Sequence, residues 1–194
     1  MVPTVRFLSV NAPALVLGST QPLGSVDTDA GIEIARRRSG GGAVLLRPGE
    51  VSWVDVFLPS EDGLWDDDVG RAAHWLGQTW SLALGDLGIR ARWHDDALMP
   101  RLWSHLACFG GLAPGEVTVA TRKVVGISQR RTRAGAQFQC AALLAWDPAA
   151  LVGCLAIDRR SRAELTAQLE QDAIALDVNP EELEAAFIRR VAER

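Results

Sequence analysis

Hydrophobic and polar positions alternate with a period near two in several short stretches of this chain and with a period near 3.6 in three longer ones. Residues 13–18 read as a short strand. A polar, glycine-containing stretch follows, and Ile32 and Ile34 alternate within 31–38. Ser39-Gly40-Gly41-Gly42 marks a loop. Strands are predicted at 43–47 and 51–59 around a Pro48-Gly49 turn, with Val54, Val56 and Leu58 on one side of the second. Over 66–87, Ala72, Trp75, Leu76, Thr79, Trp80 and Ala83 form a helical stripe, with Asp66, Asp67 and Asp68 at the favourable N-terminal end. Residues 89–96 read as a strand, 116–120 and 122–131 as a hairpin, and 136–146 as a strand stopped by Asp147-Pro148. Two helices close the chain. One, at 161–176, starts on a Ser161–Glu164 capping box; the other, at 180–193, starts on an Asn179 cap with Pro180 behind it. Strands and a helix, more strands, then helices predict one α+β domain: a mixed β-sheet flanked by helices, with 158–194 as a helical pair packed on a body formed by 1–157.

Composition narrows the class. With 194 residues, 48% hydrophobic and 23% charged, the chain can build one sizeable core. It contains no run of 18 apolar residues, so no membrane-spanning helix is predicted. The N-terminal stretch has no basic–apolar–cleavage pattern, and a cytoplasmic location is expected. Cys108, Cys140 and Cys154 include no C-x-x-C, and the three histidines are scattered; neither a disulfide scaffold nor a metal site is predicted. A net charge of −4 argues against a nucleic-acid partner. Of the 20 basic residues, 19 are arginine, and the single lysine is Lys123. In a chain this biased towards arginine, it marks a place where a compact ammonium on a flexible stem is needed.

Three segments carry candidate chemistry. In Arg36-Arg37-Arg38-Ser39-Gly40-Gly41-Gly42-Ala43-Val44, the glycines let backbone approach a ligand closely, their N–H groups can hold an anion, and the guanidiniums can neutralise it. Cys108-Phe109-Gly110-Gly111 precedes Gly115-Glu116-Val117. Arg122-Lys123-Val124-Val125-Gly126-Ile127-Ser128 places Lys123 just after a tight turn, and Gly126 inside the strand permits close approach. Arg36–Arg38 and Arg130–Arg133 are basic islands on an acidic chain and read as a docking surface for an acidic partner.

The pair RRRSGGGAV and, some 80 residues on, RKVVGISQRR resembles the lipoate–protein ligase family, which includes octanoyltransferases and, more distantly, biotin–protein ligases. The likeness spans about residues 31–146. A biotin ligase would show a Gly-Arg-Gly-Arg type of loop instead. The resemblance implies an acyl chain or acyl-adenylate held at Arg37, Arg38, Ser39, Gly40, Gly41, Gly42, Ala43 and Gly126. It also implies that Lys123 contacts the acyl carbonyl or an adenylate phosphate. Where ATP-dependent ligases carry Asn-Asp, this chain reads Gly115-Glu116, with His94-Asp95-Asp96 a looser match. The order Cys108-Phe109, short loop, Glu116, lysine strand is similar to one octanoyltransferase group. That makes Cys108 the implied nucleophile, its thiolate favoured beside Lys123 relative to an ordinary pKa of about 8.5.

Two departures are visible. Cys140-Ala141 stands where family members often have His-Gly, and Leu45-Leu46-Arg47 where a His-Asp pair is usual. His94 and His105 are the substitutes available as general base, while Cys140 and Cys154 lie in apolar runs and are expected in the core. The leading implied reaction moves an octanoyl or lipoyl group through a Cys108 thioester to a lysine of a lipoyl domain, without a cofactor. The donor would be acyl carrier protein. The alternatives are a ligase using free lipoate or octanoate with ATP and Mg2+, and a non-catalytic member that binds acyl groups or lipoyl domains.

Overall fold

The computed structural model describes residues 2–28 and 31–194; Met1 and residues 29–30, the end of the polar stretch between the first two predicted strands, lie outside the described residues. The fold is the expected α+β arrangement, built on two sheets. β1 (Thr4–Leu8), β5 (Val51–Pro59), β9 (Gly135–Leu143), β8 (Arg122–Thr132), β7 (Val117–Val119) and β6 (Ala91–Trp93) form a six-stranded sheet in the order β1-β5-β9-β8-β7-β6, antiparallel throughout. β3 (Glu33–Arg36), β2 (Ala14–Leu17) and β4 (Val44–Leu46) form a three-stranded sheet in which β2 pairs parallel to β3 and antiparallel to β4.

Strand alternation decides what each face covers. On one face of the large sheet, Val54, Val56 and Leu58 of β5, Phe138 and Cys140 of β9, and Val125 and Ile127 of β8 pack under helices α1 (His74–Asp86) and α4 (Pro180–Ala192). Trp80 of α1 stacks on Phe187 of α4 with ring centroids 4.1 Å apart. A second core forms under the small sheet, where Leu15 and Leu17 meet Leu151 and Leu155 of the α2 (Pro148–Gly153) region and Leu165 and Leu169 of α3 (Arg159–Asp172). The two C-terminal helices therefore serve different cores. A third, smaller cluster joins the sheets through Val44, Trp53, Phe109, Ala141 and Leu143.

Several boundaries differ from the pattern reading. The helix predicted over 66–87 begins only at His74. The Asp side chains before it bind local backbone instead, Asp66 accepting from the Asp68 amide and Asp68 from the Gly70 amide, which stabilises turns in competition with helix. α3 is capped by Asp158, which accepts from the amides of Arg160 and Ser161, so it starts two residues before the predicted capping box. It ends at Asp172, because the following residues run along the large sheet, Ile174 donating to the Lys123 carbonyl and Leu176 to that of Leu143. Asn179 caps α4 as predicted, accepting from the amides of Glu181 and Glu182. The alternation in Thr-Val-Arg-Phe-Leu makes β1, and Asp147 with Pro148 starts α2; neither element was part of the pattern reading.

Candidate active site

The glycine loop is held from inside by the arginines that precede it. Arg37 is only 7% exposed, and its guanidinium donates to the carbonyls of Val16, Gly40 and Gly42. Arg36 donates to the carbonyls of Gly18, Ser19 and Gln21. Both cations thus hold backbone oxygens; Arg37 is buried in doing so, while Arg36 and Arg38 are exposed, and Arg38 makes no side-chain hydrogen bond among the described residues. In the other island, Arg131 lies over the Trp65 ring at 4.1 Å. Ser39 is buried, and its hydroxyl bonds Ser128 and Gln139 at 2.9 Å each, tying the loop to β8 and β9. Ala43 forms a parallel bridge to Ala107, and its carbonyl accepts from the Cys108 amide at 2.9 Å. Gly42 is required for this approach, since a Cβ there would stand 2.5 Å from the Ala107 nitrogen. Among the described residues, the amides of Gly40, Gly41 and Gly42 donate no hydrogen bond.

Cys108 follows directly. Its sulfur lies 4.0 Å from where a Gly41 side chain would begin, and the residue is half-buried. It borders a small cavity of about 20 Å³, lined also by Arg37, Val44, Trp53, Phe109, Gly126, Ser128, Gln139 and Ala141. Gly126 lets the Phe109 ring and the Lys123 stem pack close over its backbone, since a Cβ there would stand 3.3 Å from each.

Lys123 shares this face of β8 with Gly126 because of a bulge. Val117 pairs with Val125 and Thr118 with Lys123, so Val124 is an extra residue and the alternation resets. The Lys123 side chain is 3% exposed and its ammonium has three acceptors: Glu116 Oε2 at 2.7 Å, the Cys108 carbonyl at 2.8 Å and the Gly111 carbonyl at 3.1 Å. It also sits 4.9 Å from the Phe109 ring centre. Glu116 completes the unit by accepting from the amides of Ala113 and Ile127. Lys123 therefore braces the 108–111 loop through its backbone. Its open side borders a different cavity, of about 340 Å³, lined by Gly111, Leu112, Thr118, Thr121 and Asp172 among others. The structure brings Cys108 together with Gly41, Arg37 and Gly126, and joins Lys123 to Cys108 through the latter's carbonyl oxygen. It does not put the ammonium in one cavity with the glycine loop.

The remaining candidates separate. Cys140 is fully buried, and desolvation pushes its thiol up to about 12, with the Trp80 side chain the largest opposing influence. Burial likewise raises the Cys154 thiol. His94 bonds the Ala97 carbonyl and His105 is exposed; neither lines the Cys108 cavity. The pattern reading missed Glu116 as a brace, and Trp53, Ser128 and Gln139 as walls. A usable signal was present: Ser128 lies two residues from Gly126, and Gln139 and Trp53 lie two from Ala141 and Asp55, on one face of their strands.

Comparison with known proteins identifies the family and the fold. Residues 2–191 match the family model described as lipoyl protein ligase A/B catalytic domain. The octanoyltransferase LipM of Kyrpidia tusciae is 31% identical over an alignment covering 98% of this chain and 75% of that protein. LipM of an Exiguobacterium species is 27% identical, covering 95% and 72%. Among solved structures, the bipartite lipoate protein ligase of Thermoplasma acidophilum superposes with a TM-score of 0.78 at 22% identity, over 98% of this chain and 70% of that one, which shows the shared fold. A chain that matches this family model along almost its whole length belongs to the lipoyl protein ligase A/B catalytic domain family.

Proposed function

We propose that this protein is a cytoplasmic acyltransferase that moves an octanoyl or lipoyl group from a carrier-protein thioester to a lysine of a lipoyl domain, through an acyl thioester on Cys108 and without a cofactor. The carrying observation is the position of the Cys108 sulfur. It is half-buried beside Gly41 and borders the small cavity, whereas Cys140 and Cys154 sit in the cores. The two octanoyltransferase relatives support the same reading.

The chemistry runs in two transfers. The Cys108 thiolate attacks the carbonyl carbon of the donor thioester, and the tetrahedral oxyanion takes hydrogen bonds from the unpaired amides of the 40–42 loop. The C–S bond to the donor breaks, the donor leaves as a thiolate that takes up a proton, and the acyl group remains on Cys108. The neutral ε-amine of the acceptor lysine then attacks that thioester. An amide forms, the Cys108 sulfur is released as thiolate, and the amine proton passes to solvent. Lys123, with Glu116 behind it, positions the Cys108 loop in both steps. Glu116 stands at the place of the ligase acidic pair, and both of its oxygens are already engaged, by Lys123 and by the Ala113 and Ile127 amides; this favours the transferase over an ATP- and Mg2+-dependent ligase.

Intact-mass spectrometry after incubation with octanoyl-acyl carrier protein tests the reading. The expected result is one octanoyl mass on Cys108, absent in Cys108→Ser and transferable to a lipoyl domain. Lipoyl-domain modification that needs lipoate or octanoate with ATP and survives Cys108→Ser would replace it with the ligase. Neither product would leave a non-catalytic binding member.

A further inference from the structure

The face of the large sheet turned away from α1 and α4 is organised in cross-strand rows, because residues directly opposite one another point the same way. One row is Gly126, Ala141, Trp53 and Leu8, from β8 through β9 and β5 to the edge strand β1. The next is Ser128, Gln139, Asp55 and Arg6. The first row begins beside Cys108 with two of the smallest side chains and is then blocked by an indole. Beyond Trp53 lies only Leu8, 46% exposed on the sheet edge. The row is walled by Ser128, Gln139 and Asp55 on one side and by Leu143 and Val44 of the apolar cluster on the other.

The blocking indole is anchored. Trp53 Nε1 donates to Asp55 Oδ1 at 2.9 Å, and Asp55 Oδ2 accepts from Gln137 Nε2 at 2.8 Å. Asp55 is 6% exposed. Asp55 thus ties the Trp53 indole to Gln137, which fixes the ring's orientation across the row.

We propose that Trp53 is the chain-length stop of the acyl site, with Gly126 and Ala141 as the floor of the trough that receives the alkyl chain. The inference rests on the reading of Cys108 as the acyl carrier. Two strand spacings of about 4.8 Å separate Gly126 from Trp53, roughly 10 Å in all. With C–C bonds of about 1.5 Å, an extended alkyl chain advances about 1.25 Å per carbon, so about eight carbons span that backbone-to-backbone distance and set the upper limit of the trough. The present cavity of about 20 Å³ has room for about one water. The Phe109 ring now fills the space over Gly126, so an alkyl chain entering there requires that ring to swing aside.

The test compares wild type, Trp53→Ala, Trp53→Phe and Ala141→Leu with saturated acyl thioesters from about four to fourteen carbons, reading the Cys108 adduct by intact mass. In parallel, free fatty acids of the same lengths are scored by the shift in melting temperature, which needs no reaction at sulfur. Wild type should peak near eight carbons in both readouts. Trp53→Ala should move the peak two to four carbons longer and raise the twelve-to-eight-carbon ratio at least tenfold, at about fourfold per methylene newly buried. Ala141→Leu should shorten the accepted chain. If Trp53→Ala does not fold, Trp53→Phe and Ala141→Leu decide, with smaller shifts in the same two directions. An unchanged fatty-acid profile in the folded variants, or no length dependence in wild type, overturns the stop. Fatty-acid profiles that shift as stated while no thioester ever labels Cys108 uphold the stop and sink the covalent mechanism instead.

Discussion

Lys123 and Glu116 form a buried ion pair whose members answer for one another. Both are almost fully removed from water, and each also serves backbone groups of the 108–111 and 113–127 segments. Removing one partner strands the other charge, at a cost of about 3–5 kcal/mol, whereas removing both can cost much less. Lys123→Met and Glu116→Gln should each lower the unfolding free energy by an amount in that range, and the double variant should lose less than their sum; urea denaturation of the three variants checks it. All three should lose acyl transfer, because the loop that presents Cys108 loses its brace. If the ammonium instead acted only on substrate, Glu116→Gln would leave Cys108 labelling intact.

The elements show where local signals hold and where they yield. The Asn179 cap and Pro180 define the start of α4 locally, so Asn179→Ala should cost about 1 kcal/mol in a thermal melt without touching Cys108 labelling. The Asp147 cap of α2 adds a pH signature. Its carboxyl is held below the usual carboxylate range, first by the Ala150 amide and also by Arg47. A depressed folded-state pKa contributes stability that is complete above the unfolded value, near 3.9, and is lost as pH falls through the folded one. Asp147→Ala should therefore destabilise at neutral pH, and the difference from wild type should vanish in acid; urea titrations at both pH values measure it.

At the scale of the molecule, two cores under two sheets leave one cysteine addressable. The native protein should react with a thiol reagent at Cys108 alone and at all three cysteines in urea, counted by mass. Cys140 carries a further consequence. Its folded pKa, about 12, lies above the unfolded value of about 8.5. Its contribution is thus complete below the unfolded value and is lost as pH rises between the two, since the unfolded chain then gives up the proton first. Stability should decline above pH about 9, and Cys140→Ala should flatten that alkaline limb in urea titrations.

The alternating strands at 51–59, 122–131 and 136–146, the Asn179 cap and the two glycine-bearing motifs were all legible in the chain, because strand period, turn chemistry and capping act over a few residues. The family could be named from the same residues. What the chain alone did not reveal depends on competition among short-range bonds and on contacts between segments far apart in sequence. The 66–73 turns exist because aspartates won local amides from a helix. The bulge at Val124 turned Lys123 onto the face of Gly126, which strict alternation denies. The arginines before the glycine loop found carbonyls rather than an anion, and the Lys123 ammonium met Glu116 and the Cys108 carbonyl. Trp53, Ala141 and Gly126 lie on three strands, and only pairing in register lines them up beside Cys108. Local pattern thus determined the elements and the inventory of reactive groups; register, bulge and burial decided which of them face one another.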